Sequence, residues 1–128
     1  MQKIVIDTNV IISATLSNHG NPAKIIKKVS EKELELLYNI SILIEYADVL
    51  ARSKFNFSVE KQAILLKKIV EIGTVFNPTL SSISLIDEDD RIFYDTAKQA
   101  KAILITGNIK HYPSESFIMT PSDFLATF

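Results

Sequence analysis

The chain has 128 residues, 47% of them hydrophobic and 23% charged, which suits one domain over residues 1–128 with a single core and leaves too little chain for two. It has no cysteine and only two histidines, His19 and His111, so disulfides, thiolate zinc sites and a histidine-rich metal centre are excluded. A formal net charge of −1 excludes nucleic-acid binding through bulk charge, so any such role must use a local basic patch or metal ions that attract phosphate.

No stretch approaches the ~20 apolar residues that span a bilayer. No signal peptide is visible at the start, where a strand is expected at once, and a cytoplasmic protein is the expectation.

The run Lys3-Ile4-Val5-Ile6-Asp7-Thr8-Asn9 opens the chain. An uninterrupted β-branched stretch suits a strand buried on both faces, as in a parallel sheet clad by helices. Ligands of open parallel sheets bind outside the carboxyl ends of the strands, where Asp7 falls. The alternative is that Asp7 or Thr8 only caps the next helix.

A short helix is predicted over 10–16 and a turn over 18–21. Asn21-Pro22 opens a second helix, with the asparagine as cap and the proline in its first turn. Residues 34–38 form a second strand. A helix follows from Ser41 to about Arg52, and another from Ser58 to about Ile72. A strand over 74–76 stops at Asn77-Pro78. Residues 87–101 are predicted helical, with acids in the first turn. Residues 102–106 form a second fully apolar strand, ended by Gly107-Asn108. A last strand spans 117–119, and Thr120-Pro121 caps a closing helix. Strands alternating with helices imply right-handed crossovers, hence a three-layer α/β/α fold around a parallel sheet.

Two acids stand where apolar residues are expected. On a helix, Glu45 shares its face with Ile42 and Val49. Asp90 heads a stripe continued by Phe93, Tyr94 and Ala97, which faces the core. Asp87 and Asp89 are explained as first-turn acids that cap amides and complement the helix dipole. Asp95 is expected to turn away and be solvated. Asn108, at the end of the second buried strand, occupies the same topological place as Asp7. It is read either as a turn former or as a group that orients a water or ligand. Carboxylates gathered at one sheet edge repel unless something positive lies between them. Oxygen-only ligands suit Mg²⁺ or Mn²⁺ and metal-assisted phosphodiester cleavage.

Four blocks carry a family resemblance: Val5-Ile6-Asp7-Thr8-Asn9-Val10-Ile11-Ile12-Ser13, Ile44-Glu45-Tyr46-Ala47-Asp48-Val49-Leu50, Asp89-Asp90-Arg91-Ile92-Phe93, and 102–108 followed by Ile109-Lys110-His111-Tyr112-Pro113. In this order they resemble the PIN-domain nucleases, especially the toxins of bacterial and archaeal toxin–antitoxin pairs. The resemblance implies an endoribonuclease using Mg²⁺ or Mn²⁺. It makes Asp7, Glu45 and Asp90 catalytic metal ligands and places Thr8 and Asn9 beside them. Many members have an aspartate where this chain has Asn108, which here would orient a ligand or water.

Arg91, Lys110 and His111 are expected at the RNA backbone. RNA, a small antitoxin and a second copy of the chain are the expected partners, the last through the broad apolar arc of the 58–72 helix. Two other readings stand beside this one. The chain could be a non-catalytic PIN-like binding module, or a Rossmann-like phosphotransfer enzyme with Asp7 as nucleophile.

Overall fold

The computed structural model describes all 128 residues. Its strands are β1 (Gln2–Ile6), β2 (Leu34–Tyr38), β3 (Gly73–Val75), β4 (Ile103–Ile105) and β5 (Ile118–Met119). The helices are α1 (Thr8–Leu16), α2 (Asn21–Ser30), α3 (Ile40–Leu50), α4 (Val59–Ile72), α5 (Arg91–Ala100) and α6 (Pro121–Thr127). The five strands form one sheet in the order β3-β2-β1-β4-β5, and every pairing is parallel.

β1 lies at the centre, with Ile4 opposite both Leu36 and Ile103. Ile4, Val5 and Ile6 are all fully buried. Neighbouring strand residues point to opposite faces, so both faces are covered and the α/β/α layering follows. From β1 the chain builds outward through β2 to β3, then returns to add β4 and β5 on the other side. The strand order therefore reverses between β1 and β4, and a crevice opens there at their carboxyl ends.

Several boundaries move for physical reasons. Gly20, not Asn21, precedes the first turn of α2, and no side chain caps it. α3 starts at Ile40 rather than Ser41, because Asn39 caps it by accepting from the Ile42 amide at 3.0 Å. The Asn39 amide group also donates to the Phe76 carbonyl and to Thr96, tying α3 to β3 and α5. The helix predicted over 87–101 begins instead as a 3₁₀ turn, Glu88–Asp90, and becomes α-helical only from Arg91. Asp90 thus sits at a junction. Ser58 and Thr120 cap α4 and α6 as expected.

The larger correction concerns Asp95, which is 2% exposed rather than solvated. Its carboxylate accepts from the Ser81 amide at 2.8 Å and the Ser81 hydroxyl at 2.7 Å. Arg91 donates to the Ser81 and Ile83 carbonyls at 2.7 and 2.6 Å, and Gln99 accepts from the Thr79 amide at 2.8 Å. α5 thereby holds the irregular segment 76–87, which must satisfy its backbone without helix or sheet. Asp95→Ala is expected to cost about 1–3 kcal/mol, the usual loss when buried donors are left unsatisfied. It should also open the chain to proteolysis near Ser81. Urea unfolding with a change below about 0.5 kcal/mol, as at an ordinary surface site, would contradict this role.

Candidate active site

The pocket at the β1–β4 crevice is lined by Asp7, Thr8, Asn9, Glu45, Asp90, Asn108 and His111, together with Asp87, Asp89, Arg52 and Lys54. Three acids picked out in the sequence therefore meet, although they come from β1, α3 and the turn before α5.

Asp7 is the best determined. It caps α1, its Oδ1 accepting from the Thr8 amide at 2.8 Å. Its Oδ2 accepts from the Thr106 hydroxyl at 2.8 Å, from the Tyr112 hydroxyl at 2.9 Å and, more weakly, from Asn9 at 3.5 Å. Asp7 thus caps α1 through one oxygen, while its other oxygen is held by side chains at the crevice. Burial raises its pKa, and the hydrogen bonds from Thr106 and Tyr112 oppose that rise. Burial and the Asp7 charge push the Tyr112 hydroxyl up strongly, so it stays a donor.

Asn9 ties the crevice together by accepting from the Gly107 amide at 3.0 Å. A Cβ on Gly107 would lie 3.3 Å from that same oxygen, a tight contact that the Asn9 side chain would have to yield to. On α3, the buried Tyr46 hydroxyl donates to the Ile6 carbonyl, just before Asp7. This bond fixes the neighbouring Glu45 relative to Asp7. Burial raises the Glu45 pKa, with Asp89 and Asp48 adding to it.

Asp90 is the least compensated acid. Its Oδ2 is buried without a hydrogen-bond partner, and the nearest cationic candidate, His111, stands 3.8 Å away. Burial, then Asp7 and Asp87, raise its pKa to about 6. The Thr8 hydroxyl oxygen is likewise buried and unpartnered. Asn108 lies at the rim, its amide held by the Thr106 hydroxyl and its side-chain nitrogen 3.3 Å from the His111 ring.

Two expected phosphate contacts are absent from the pocket. All of the Arg91 nitrogens are engaged by Glu88, Ser81 and Ile83, so it is a clamp for the 76–87 segment. Lys110 is exposed and does not line the pocket. The cations that do line it, Arg52 and Lys54, follow α3 and were not singled out in the sequence. Nor was Tyr112, although it falls within the last of the four matching blocks.

A family model described as "PIN domain" matches residues 3–110. The chain belongs to the PIN domain family. An uncharacterized protein of Methanocaldococcus jannaschii, MJ1680, is 33% identical over 109 residues, covering 83% of this chain and 70% of that protein. The crystal structure of PAE2754 from Pyrobaculum aerophilum superposes with a TM-score of 0.64 over 98% of this chain and 88% of that one. At 14% identity it speaks for the fold alone. PIN domains are generally nucleases and typically use divalent metal ions.

The residues of this PIN domain meet that chemistry in part. Three carboxylates with raised pKa values, one of them keeping an orphaned oxygen, and the orphaned Thr8 hydroxyl in one pocket are a hard-cation donor set. No three acids or histidines already stand close enough together to grip one ion directly. Mg²⁺ keeps several of its waters and needs only one or two direct carboxylates, so the donor set fits.

Asp90→Asn is expected to raise the melting temperature of the metal-free protein at pH 7.5 by roughly 3 °C. Unfolded, the carboxyl titrates near 4, whereas folded it titrates at about 6. The wild type therefore loses stability as pH rises between those values. The gain in the variant should be complete above pH ~6 and vanish below ~4. Calorimetric melting in EDTA across that range checks both the sign and the window.

Proposed function

We propose that this PIN domain is a divalent-metal-dependent endoribonuclease. The observation that carries the reading is the convergence of Asp7, Glu45 and Asp90 on one pocket, with a buried Asp90 oxygen left without a partner. These three would hold Mg²⁺ or Mn²⁺, which when bound activates water and neutralises charge on the phosphate during in-line attack.

The chain's own groups supply the rest. Thr106 and Tyr112 fix the orientation of the Asp7 carboxylate, as outer-shell donors do for metal-binding side chains. Tyr46 and Asn9 set the spacing of α3 and of the 106–108 turn against it. Arg52 and Lys54 at the rim offset the negative charge of an entering phosphodiester. Asn108 contributes no charge, so the acidic field is weaker than in relatives with aspartate there.

Asp7→Asn, Glu45→Gln and Asp90→Asn should each reduce Mn²⁺-dependent RNA cleavage by at least about 100-fold, with unchanged circular dichroism. Tyr112→Phe should weaken Mn²⁺ binding by about 10-fold in calorimetry, within the range seen for lost outer-shell partners. Cleavage at wild-type rate by all three acid variants would overturn the assignment. Absence of Mn²⁺ binding to the wild type would favour a non-catalytic binding module. The phosphotransfer reading is disfavoured, because Asp7 is followed by Thr8-Asn9 rather than by a second acid, and β4 is followed by Thr106-Gly107-Asn108 rather than by a lysine.

A place in a toxin–antitoxin pair rests on the resemblance to that branch. Self-association is proposed through α3 and α4, where Ile40, Ile44 and Val70 are exposed beside a groove that is almost wholly apolar. Light scattering should give twice the 14.4 kDa chain mass, and a monomer at high micromolar concentration would refute it.

A further inference from the structure

Away from the pocket, a groove of about 880 Å³ runs between α1, α2 and α4. Lys24, Lys27, Lys61 and Lys68 line it, and no acid does. All four are exposed, and none forms an ion pair. Such cations contribute nothing to folding through pairing, and held together they repel one another.

The segment between α3 and α4 starts at the candidate active-site pocket and leads into the helix whose Lys61 lines the groove. Arg52 and Lys54 line the pocket. Phe55 and Phe57 follow, stacked at 5.8 Å with their planes 15° apart. The Lys54 ammonium lies 5.1 Å from the centre of the Phe55 ring, and that of Lys61 lies 5.3 Å from the Phe57 ring. The aromatic pair is partly buried against the core. It is thus a fixed platform that restrains one lysine over each ring, lowering the entropy lost when those ammoniums meet an anion. Lys61 also lines the groove, so the stacked pair carries a pocket lysine on one ring and a groove lysine on the other.

We propose that the strand of RNA leaving the catalytic pocket follows this track, with successive phosphates on Arg52, Lys54, Lys61 and Lys68 and then on Lys24 and Lys27. The proposal rests on the nuclease reading for the pocket at its head. Charge complementarity and continuity with the pocket select a polyanion whose charges repeat along an extended chain. The apolar floor, including Ile64 and Leu65, can take the faces of unpaired bases. Six of the chain's 14 basic residues are gathered on this path. A chain of net charge −1 can thereby hold RNA locally.

The test is fluorescence anisotropy of the full chain in EDTA with single-stranded RNAs of about 4 and about 12 nucleotides, lengths bracketing ordinary single-strand site sizes. Lys61→Ala and Lys68→Ala are each expected to weaken binding of the longer RNA by about 3- to 10-fold, and to lower its salt slope by about 0.7. They should leave the shorter RNA unaffected. Lys67→Ala removes the same charge from the same helix, but Lys67 lines the apolar groove beside α3 and should change nothing.

Equal behaviour of Lys61→Ala, Lys68→Ala and Lys67→Ala would overturn the track. So would a Lys68-dependent affinity for an acidic amphipathic peptide without one for RNA, which would make the groove a protein site. Cleavage of the short RNA by wild type in Mn²⁺ is read separately. If cleavage persists while the lysine variants behave alike, the track alone falls. If lysine-dependent binding occurs without cleavage, the track stands and the nuclease reading falls.

Discussion

The structure is organised around a carboxylate placed where a hydrophobic strand ends. Burying Asp7 is costly unless its oxygens are satisfied, and they are satisfied by groups from three directions. The Thr8 amide comes from the start of α1, Thr106 from the end of β4, and Tyr112 from the turn beyond it. The Thr106 and Tyr112 donors reach Asp7 only because β1 and β4 are adjacent and parallel with Ile6 opposite Ile105, the register observed. The polar requirement of one side chain thus favours the strand order that creates the crevice. Tyr46 extends the arrangement to α3 by bonding the carbonyl just before Asp7. The spacing of the acids follows from hydrogen bonds that would serve folding equally well.

What folding does not need is the charge itself. Asp7, Glu45 and Asp90 all have raised pKa values, chiefly through burial. An amide replacement would remove the buried charge, most simply at Asp90, whose Oδ2 has no donor to lose. Uncompensated charge of this kind gathers at functional sites because an incoming ligand supplies the compensation. Asp95 shows the contrast. It is more deeply buried than Asp90, yet Ser81 satisfies both its oxygens, and it serves structure alone.

Features encoded locally were legible in the sequence. The buried β1 and β4 runs, the Ser58 and Thr120 caps and the parallel α/β architecture all follow from short-range pattern. The three acids were visible because each interrupts such a pattern. Features that depend on distant partners were not legible. Asp95 looks like a surface acid until Ser81 is folded over it, and Arg91 looks like a free cation until the same segment occupies its nitrogens. Asn39 starts α3 one residue before Ser41 by capping it, and its side-chain nitrogen also reaches Thr96, 57 positions away. Tyr112 meets Asp7 across 105 positions, and no periodicity reports such a contact. Arg52 and Lys54 lie in a loop whose course is set by packing of the adjacent phenylalanines.

Asn108 shows how the pocket reconciles charge with stability. A carboxylate at that position would join Asp7 and Asp90, whose ionised forms already repel each other. The amide avoids this and instead holds the edge of the His111 ring, whose Nδ1 lies 3.8 Å from Asp90 Oδ2. That placement keeps an ionisable nitrogen beside the one buried carboxylate oxygen without a partner. The pocket thus carries one negative charge fewer than an aspartate at position 108 would give it. A weaker acidic field attracts cations less strongly and repels phosphate less strongly. An amide rather than a carboxylate at position 108 therefore works in the same direction as the basic residues at the rim, making the pocket less repulsive to anions.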